Sequence, residues 1–445
     1  MVKNKLTILF LPESAYGPMN NCIGIAHQLH EIGHRCVFII ESSWKGKLIK
    51  YGFIEKYLNL SPDSCVYNEN KQADEFWSDF ISKQLLEFRK STFEQLKTFI
   101  YSTWKALVDG VKYSNDELKK LIEEIKPDII IEDNVVTFPA LIINKNIPFV
   151  RIVSCNPLEF QYENDKLPPP YSGLSSNNNN SEWKKFKNEY KLIHYNIWNE
   201  FNNWLQQQGT SSLPQLQFIH TSKYLNLYIY PEIIDYDNMN LSSSWVRLDS
   251  CVRKCENEKF EIPLHFKNRK IIYVSLGSLG YNDVKLMKRL IELFRKSKHC
   301  FIFSFGSKYD QYIDLPENIC GYEYLPQTIL LPLVNMVITH GGNNTITESL
   351  HFGKPMIILP LFWDQHDNAQ RLHETGYGIR LDTYKFTDQQ MNESIEYLLN
   401  DQNVRQRFIS IGKTIRARNG LELAAEKIQQ CAFQARSHAS VELKN

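Results

Sequence analysis

Short apolar runs recur along the whole chain, each followed by a longer stretch of helical periodicity. In the first half they fall at residues 6–11, 36–40, 128–131, 149–153 and 224–230. In the second they fall at 271–275, 300–304, 336–339 and 356–359. The runs are apolar throughout rather than alternating, which is the pattern of strands covered on both faces and predicts parallel sheets with helices on either side. Two such series, each opening on a buried strand, predict an α/β fold of two Rossmann-like domains facing each other across a cleft. Residues 75–113 carry Phe76, Trp77, Phe80, Phe88, Phe93, Phe99 and Trp104 at mixed helical spacings and read as helix, most of those rings belonging to the core. Leu423, Ala424, Ile428 and Cys431 lie on one face of a final amphipathic helix within 421–435. The charged residues Lys254, Glu256, Glu258, Lys259 and Glu261 ahead of Pro263 suit a linker. The predicted boundaries are 1–250, a linker at 251–268, 269–420, and a C-terminal helix within 421–445.

Composition narrows the classes without choosing among them. With 445 residues, 43% hydrophobic and 23% charged, the chain has ample apolar material for two cores. Lysine and arginine number 51 against 50 aspartates and glutamates, so no global field would steer it to nucleic acid or an acidic membrane. An anionic ligand must be held by local donors. The first apolar run is too short for a signal peptide, no run is long enough to span a bilayer, and the polar C-terminal residues carry no anchor. Nine cysteines without a zinc spacing read as reduced thiols, which with the rest implies a cytoplasmic protein that needs no metal.

The chemistry concentrates in 340–369. His340-Gly341-Gly342-Asn343-Asn344-Thr345 follows a strand and precedes a helix, and free N–H groups at a helix start make an anion site to which glycines allow close approach. Thr345-Ile346-Thr347-Glu348 also fits a capping box, which needs no ligand. Gly353-Lys354-Pro355 closes that helix. Asp364 and Gln365 then stand at the carboxyl end of the next strand, where ligands of such sheets bind, although Asp364 could instead cap the helix through Asn368 and Ala369. No Gly-x-Gly-x-x-Gly follows either opening strand, which argues against a dinucleotide enzyme.

Ser275-Leu276-Gly277-Ser278, Tyr324-Leu325-Pro326-Gln327 and the stretch through Asp364-Gln365 together resemble the UDP-glycosyltransferases that conjugate small lipophilic molecules, and the resemblance covers nearly the whole chain. It implies the two-domain glycosyltransferase B architecture, with the last helix crossing back to the N-terminal domain. By that resemblance Leu325 pairs with uracil through its backbone and Tyr324, where the family has tryptophan, stacks on the base. Gln327 and Glu348 would hold the ribose. Gly277, Ser278, His340, Gly342, Asn344 and Thr345 would surround the diphosphate, and Asp364 and Gln365 the hexose, most simply glucose. The reaction implied is displacement at the anomeric carbon of a UDP-sugar by an acceptor hydroxyl, with inversion to a β-glycoside and without a metal or other cofactor. The acceptor would be a flavonoid, another phenolic or a foreign compound.

One position departs from that pattern. The family places a base histidine after its first strand, and here Pro18 occupies the place, with no group to accept a proton. The family's orienting aspartate corresponds to Asp133, which could take the proton directly or through water; alternatively the acceptor reacts as a phenolate, and Glu13 and His366 stay open as bases. Pro18 motivates a second reading, a protein that holds a UDP-sugar or a lipophilic ligand without turnover. A UDP-sugar epimerase is a third, which leaves Tyr324 to Gln327 unexplained.

Overall fold

The computed structural model describes residues 5–61, 75–144, 147–177, 180–253 and 259–442. The first sheet has seven parallel strands: β1 Thr7–Pro12, β2 Arg35–Ile40, β3 Ile54–Tyr57, β4 Ile129–Asp133, β5 Phe149–Val153, β6 Leu225–Ile229 and β7 Trp245–Leu248. Their order is β3-β2-β1-β4-β5-β6-β7. The second has six, β8 Ile271–Ser275, β9 Cys300–Ser304, β10 Ile319–Tyr322, β11 Met336–Thr339, β12 Met356–Ile358 and β13 Ile379–Arg380, in the order β10-β9-β8-β11-β12-β13. These are two doubly wound α/β domains. The charged residues 254–258 of the expected linker, like Cys65, lie outside the described residues.

Nine strands coincide with the apolar runs, and the four absent from them are β3, β7, β10 and β13, the two edges of each sheet. Edge strands need no apolar run, because one flank and part of each face meet solvent; β3 reads Ile-Glu-Lys-Tyr with no buried side chain. The expected helix at 75–113 is interrupted. It forms as Glu75–Gln84 and Thr92–Gln95, then a π-helical turn at Leu96–Ile100 that runs into Tyr101–Ile125. Ser91 starts the second piece with a capping box completed by Glu94, a signal that the aromatic spacing had masked. Phe88, Phe99 and Trp104 are core residues, while the side chains of Phe76 and Trp77 lie outside the described set.

Alternate residues of β1 feed two different cores, as the two-residue repeat of a strand requires. Leu9 and Leu11 join the cluster that continues into the C-terminal domain. Leu6, Ile8 and Phe10 face the other way, where the last helix, Gly420–Glu442, lays Leu421, Ala424, Ile428 and Cys431 beside the helix Tyr16–Glu31. The C-terminal helix therefore completes the outer face of the N-terminal domain. His34 and Gln429 (3.1 Å) and Arg436 and Asp128 (2.5 Å) tie it down.

Candidate active site

In each sheet the chain leaves neighbouring strands in opposite directions at one place, between β1 and β4 in the first and between β8 and β11 in the second. A crevice opens beyond the carboxyl ends of strands at such a point. The two crevices face each other and merge into one cavity of about 540 Å³. Its N-terminal wall carries Glu13, Tyr16, Pro18, Asp133, Ser154 and Glu159. Its C-terminal wall carries Gly277, Ser278, Tyr324, Leu325, Gln327, His340, Gly342, Asn344, Thr345, Asp364 and Gln365.

The C-terminal wall is built around His340, at the end of β11. A Cβ on Gly277 would come within 2.4 Å of the imidazole Nε2, and one on Gly342 within 2.5 Å, so two glycines clear the space that the ring fills. Gly277 also needs its φ of +77°, which other residues rarely adopt. Burial lowers the His340 pKa to about 4, so at neutral pH the ring is uncharged and acts through N–H and lone pair. The next helix starts earlier than the Thr345 expected from the sequence. It spans Asn343–His351 with Gly342 at the N-cap, where no side chain caps it. Thr345 is thus the third helical residue and not the start of a capping box, and the first-turn N–H groups lie at the cavity wall without a side-chain acceptor. Asn344 donates its amide to the Gly17 carbonyl (3.3 Å), across the cleft.

Gln327 and Glu348 form a linked pair: the Gln327 amide donates to Glu348 Oε2 (2.6 Å), and Arg253 donates to Oε1 (3.0 Å). The Tyr273 hydroxyl donates to Gln327 Oε1 (3.1 Å). Gln327 borders the cavity, whereas Glu348, 3% exposed, stands behind it and is not a wall residue. Contact of Glu348 with a ligand requires its pairing with Gln327 or Arg253 to open. Tyr324 is 56% exposed, which leaves its ring accessible for stacking, and Leu325 is buried beside it.

Asp364 stands at the N-cap of Gln365–Thr375, but its side chain makes no capping bond. Its Oδ2 accepts the backbone N–H of Asn156 (2.9 Å) and the Asn368 amide (3.2 Å), while the Asn156 amide donates to Asn368 Oδ1 (2.8 Å). Burial raises its pKa to about 6 against those donors. The Gln365 side-chain Oε1 accepts the N–H groups of Leu361 (3.0 Å) and Phe362 (3.2 Å), which commits that oxygen to the turn. Trp363 between them has φ +55°, a strained conformation for a bulky residue, and it puts the indole on the cavity wall.

On the N-terminal wall Pro18 lies in the first turn of Tyr16–Glu31, where a missing N–H costs no helical hydrogen bond. Asp133 ends β4. It accepts the Ser154 hydroxyl (2.5 Å), which in turn accepts the Asn21 amide (2.8 Å). Burial raises its pKa to about 6, offset by Ser154 and by Arg151. Arg151 is fully buried, pairs with Glu132 (2.8 Å) and donates to the carbonyls of Asn134 and His220, which fixes the loop after Asp133. Glu13, whose N–H bonds to the Asp133 carbonyl (2.9 Å), has its pKa raised to about 8 by burial and by Asp133 and Glu41. His366 is buried away from the cavity wall, which removes it as a base.

Comparison with known proteins bears on this arrangement. The family model described as UDP-glucoronosyl and UDP-glucosyl transferase matches residues 250–417, the half that carries the His340 wall. Over those residues the chain is a UDP-glycosyltransferase domain. The transferase is 23% identical over 444 residues to the NDP-glycosyltransferase YjiC of Bacillus subtilis, spanning 98% of this chain and 99% of that one. It is 24% identical over 350 residues to UDP-glucuronosyltransferase 1A4 of Oryctolagus cuniculus, covering 74% of this chain and 63% of that one. Among solved structures, the glycotransferase of kitacinnamycin superposes with a TM-score of 0.71 at 18% identity, over 96% of this chain and all of that one. Glycosyltransferase VinC, solved with DTDP, gives 0.63 at 14% identity. The fold is therefore that of the two-domain glycosyltransferases, and the transferase is an enzyme of sugar transfer. Among its described residues no helix is long and apolar enough to cross a membrane.

The structure adds residues that the motifs did not indicate. Arg253, just past the first sheet, reaches Glu348; Asn343 donates to the carbonyls of Ser154 (3.1 Å) and Ile229 (2.8 Å). Asn156 joins both domains through Asp364 and Asn368. A lone arginine or asparagine beside a strand carries no spacing signal, so only the tertiary contact reveals them.

Proposed function

We propose that the transferase moves a hexose, glucose in the first instance, from a UDP-sugar to a hydroxyl of a small lipophilic acceptor, with inversion to a β-glycoside. The observation that carries this reading is the asymmetry of the single cavity: an uncapped helix start with a neutral histidine on one wall, and apolar side chains with buried carboxyls on the other. The donor lies along the C-terminal wall, its uracil at Tyr324 and Leu325, its ribose at Gln327, its diphosphate at the first turn of Asn343–His351, and its hexose at Asp364 and Gln365. As the bond from the anomeric carbon to the phosphate oxygen breaks, the charge developing on UDP meets N–H dipoles already aimed at it, a contribution of about 3 kcal/mol per donor in comparable sites. Asp133 takes the proton of the acceptor hydroxyl, directly or through a water, and Ser154, Asn21 and Arg151 hold it in place.

Acceptor-dependent release of UDP from UDP-glucose, with a panel of phenols, tests the reading. The expected product is a β-glucoside, identified by mass and by its anomeric coupling constant. Pro18 supports a second reading, a binding protein without turnover: UDP-glucose that binds but yields no UDP with any phenol would favour it. A changed free nucleotide sugar without glycoside would point to epimerisation instead.

A further inference from the structure

The acceptor side of the cavity contains more acid than one proton transfer uses. Three carboxyl groups, of Glu13, Asp133 and Glu159, stand among lining side chains that include Phe99, Ile219, Phe362 and Trp363. Asp133 has a cation behind it, since Arg151 acts directly on it. Glu13 and Glu159 have the opposite environment. The charges that act most strongly on Glu13 are those of Asp133 and Glu41, and on Glu159 those of Asp364, Asp367 and Glu13, so each faces acid. Lys47 also borders the cavity, with its ammonium 5.8 Å from the Trp44 ring centroid, and Arg253 is engaged with Glu348. Neither is among those strongest influences. Glu159 is 8% exposed; its Oε1 accepts the Tyr171 hydroxyl, while Oε2 has no hydrogen-bond partner. A buried carboxyl with neither donor nor counter-charge is held in its neutral form, and it ionises when a ligand supplies the charge.

We propose that Glu13 and Glu159 form a subsite for an organic ammonium group, so that the acceptor is a hydroxylated, largely apolar molecule carrying a basic nitrogen. The proposal rests on the reading of this cavity as the acceptor pocket. A protonated amine supplies the counter-charge that the two carboxyls lack and the donor that Glu159 Oε2 lacks. A neutral hydroxyl could satisfy the oxygen but not the charge.

The test compares 4-[2-(dimethylamino)ethyl]phenol with 4-(3-methylbutyl)phenol, its uncharged isostere, as acceptors for UDP-glucose at pH 7. The wild-type enzyme is expected to prefer the amine by about tenfold in kcat/KM, the ratio that ~1.4 kcal/mol of differential binding produces. Glu159→Gln and Glu13→Gln should each remove most of that preference, with UDP affinity, which neither side chain touches, reporting that the variants are folded. Equal or better use of the neutral isostere by wild type, or a preference that survives both substitutions, overturns the subsite. If neither phenol releases UDP, the transfer reading has failed and the subsite is decided by calorimetry on the UDP-bound enzyme: tighter binding of the amine by about tenfold sustains it, and equal affinity overturns it.

Discussion

The two walls of the cavity share a topology and differ in electrical character. Both lie beyond the switch point of a parallel sheet, one between β1 and β4 and the other between β8 and β11. At the second, the chain turns through Gly341 and Gly342 into an uncapped helix, and the groups at the surface are backbone N–H dipoles and a neutral imidazole. At the first, the chain passes through Glu13 into a helix whose first turn contains proline, and the groups at the surface are carboxyls pushed towards their protonated forms. One architecture thus yields a wall suited to a departing anion and a wall suited to receiving a proton, and the difference is made by the few residues between strand and helix. A fold of this kind determines where a site lies; the residues in those turns determine its chemistry.

The largest expected effect breaks the proton-accepting wall. Asp133→Asn keeps the size and the Ser154 contact but removes the basic oxygen, and should lower kcat about 10³-fold while leaving UDP-glucose affinity within a small factor. Full activity of the variant towards a poorly acidic alcohol would rule Asp133 out as base. In wild type the same group, with its pKa near 6, should make kcat/KM fall as pH drops below about 6. The anion-binding wall breaks at Gly277→Val, which forces a side chain into the His340 ring and into a disfavoured φ. A loss of about 10²-fold in kcat/KM is expected from misplacing one donor, and a rise in UDP dissociation constant should accompany it, in contrast to Asp133→Asn.

The same contrast explains what could be read in advance. The C-terminal wall was legible because its geometry is local: a strand, two glycines and a helix start lie within one short segment, and their order states their arrangement. The N-terminal wall is assembled from residues far apart in the chain, Glu13, Asp133, Ser154 and Glu159, and no spacing connects them. Central strands announced themselves as apolar runs because both faces are covered, while all four sheet edges were silent for the opposite reason. Thr345-Ile346-Thr347-Glu348 shows how a local signal misleads. It satisfies the capping pattern, yet the helix begins two residues earlier because Gly342 in an extended conformation already starts it.

Pro18→His sharpens the comparison by adding an imidazole to the wall whose base is Asp133. The first-turn position tolerates the exchange, since the restored N–H has no helical partner to find and the new side chain faces the cavity that Pro18 borders. A rise of about tenfold in kcat is expected for weakly acidic alcohols and little change for phenols that react as phenolates. An equal gain for both acceptor types would show that the phenols do not react as phenolates.

The smallest effect is on stability, and it separates Glu13 and Glu159 from His340 by sign. Glu13 and Glu159 have pKa values raised from 4.5 to about 8, so between those values the folded state holds protons that the unfolded state has lost, and stability must fall as pH rises through that window. His340 is lowered from 6.5 to about 4, so below pH 6.5 the unfolded state binds the extra proton and stability falls as pH drops. Replacing both glutamates by glutamine removes their share of the first dependence and keeps the second. The thermal midpoint of the double variant should therefore decline less steeply than that of wild type between pH 5 and pH 8, by a few degrees in all, with Asp133 and Asp364 sustaining the remainder, while the His340 contribution below pH 6.5 is the same in both proteins. Parallel curves across the whole range would mean that the two carboxyls are already ionised in the empty cavity and that the acceptor wall is as negatively charged as its composition allows.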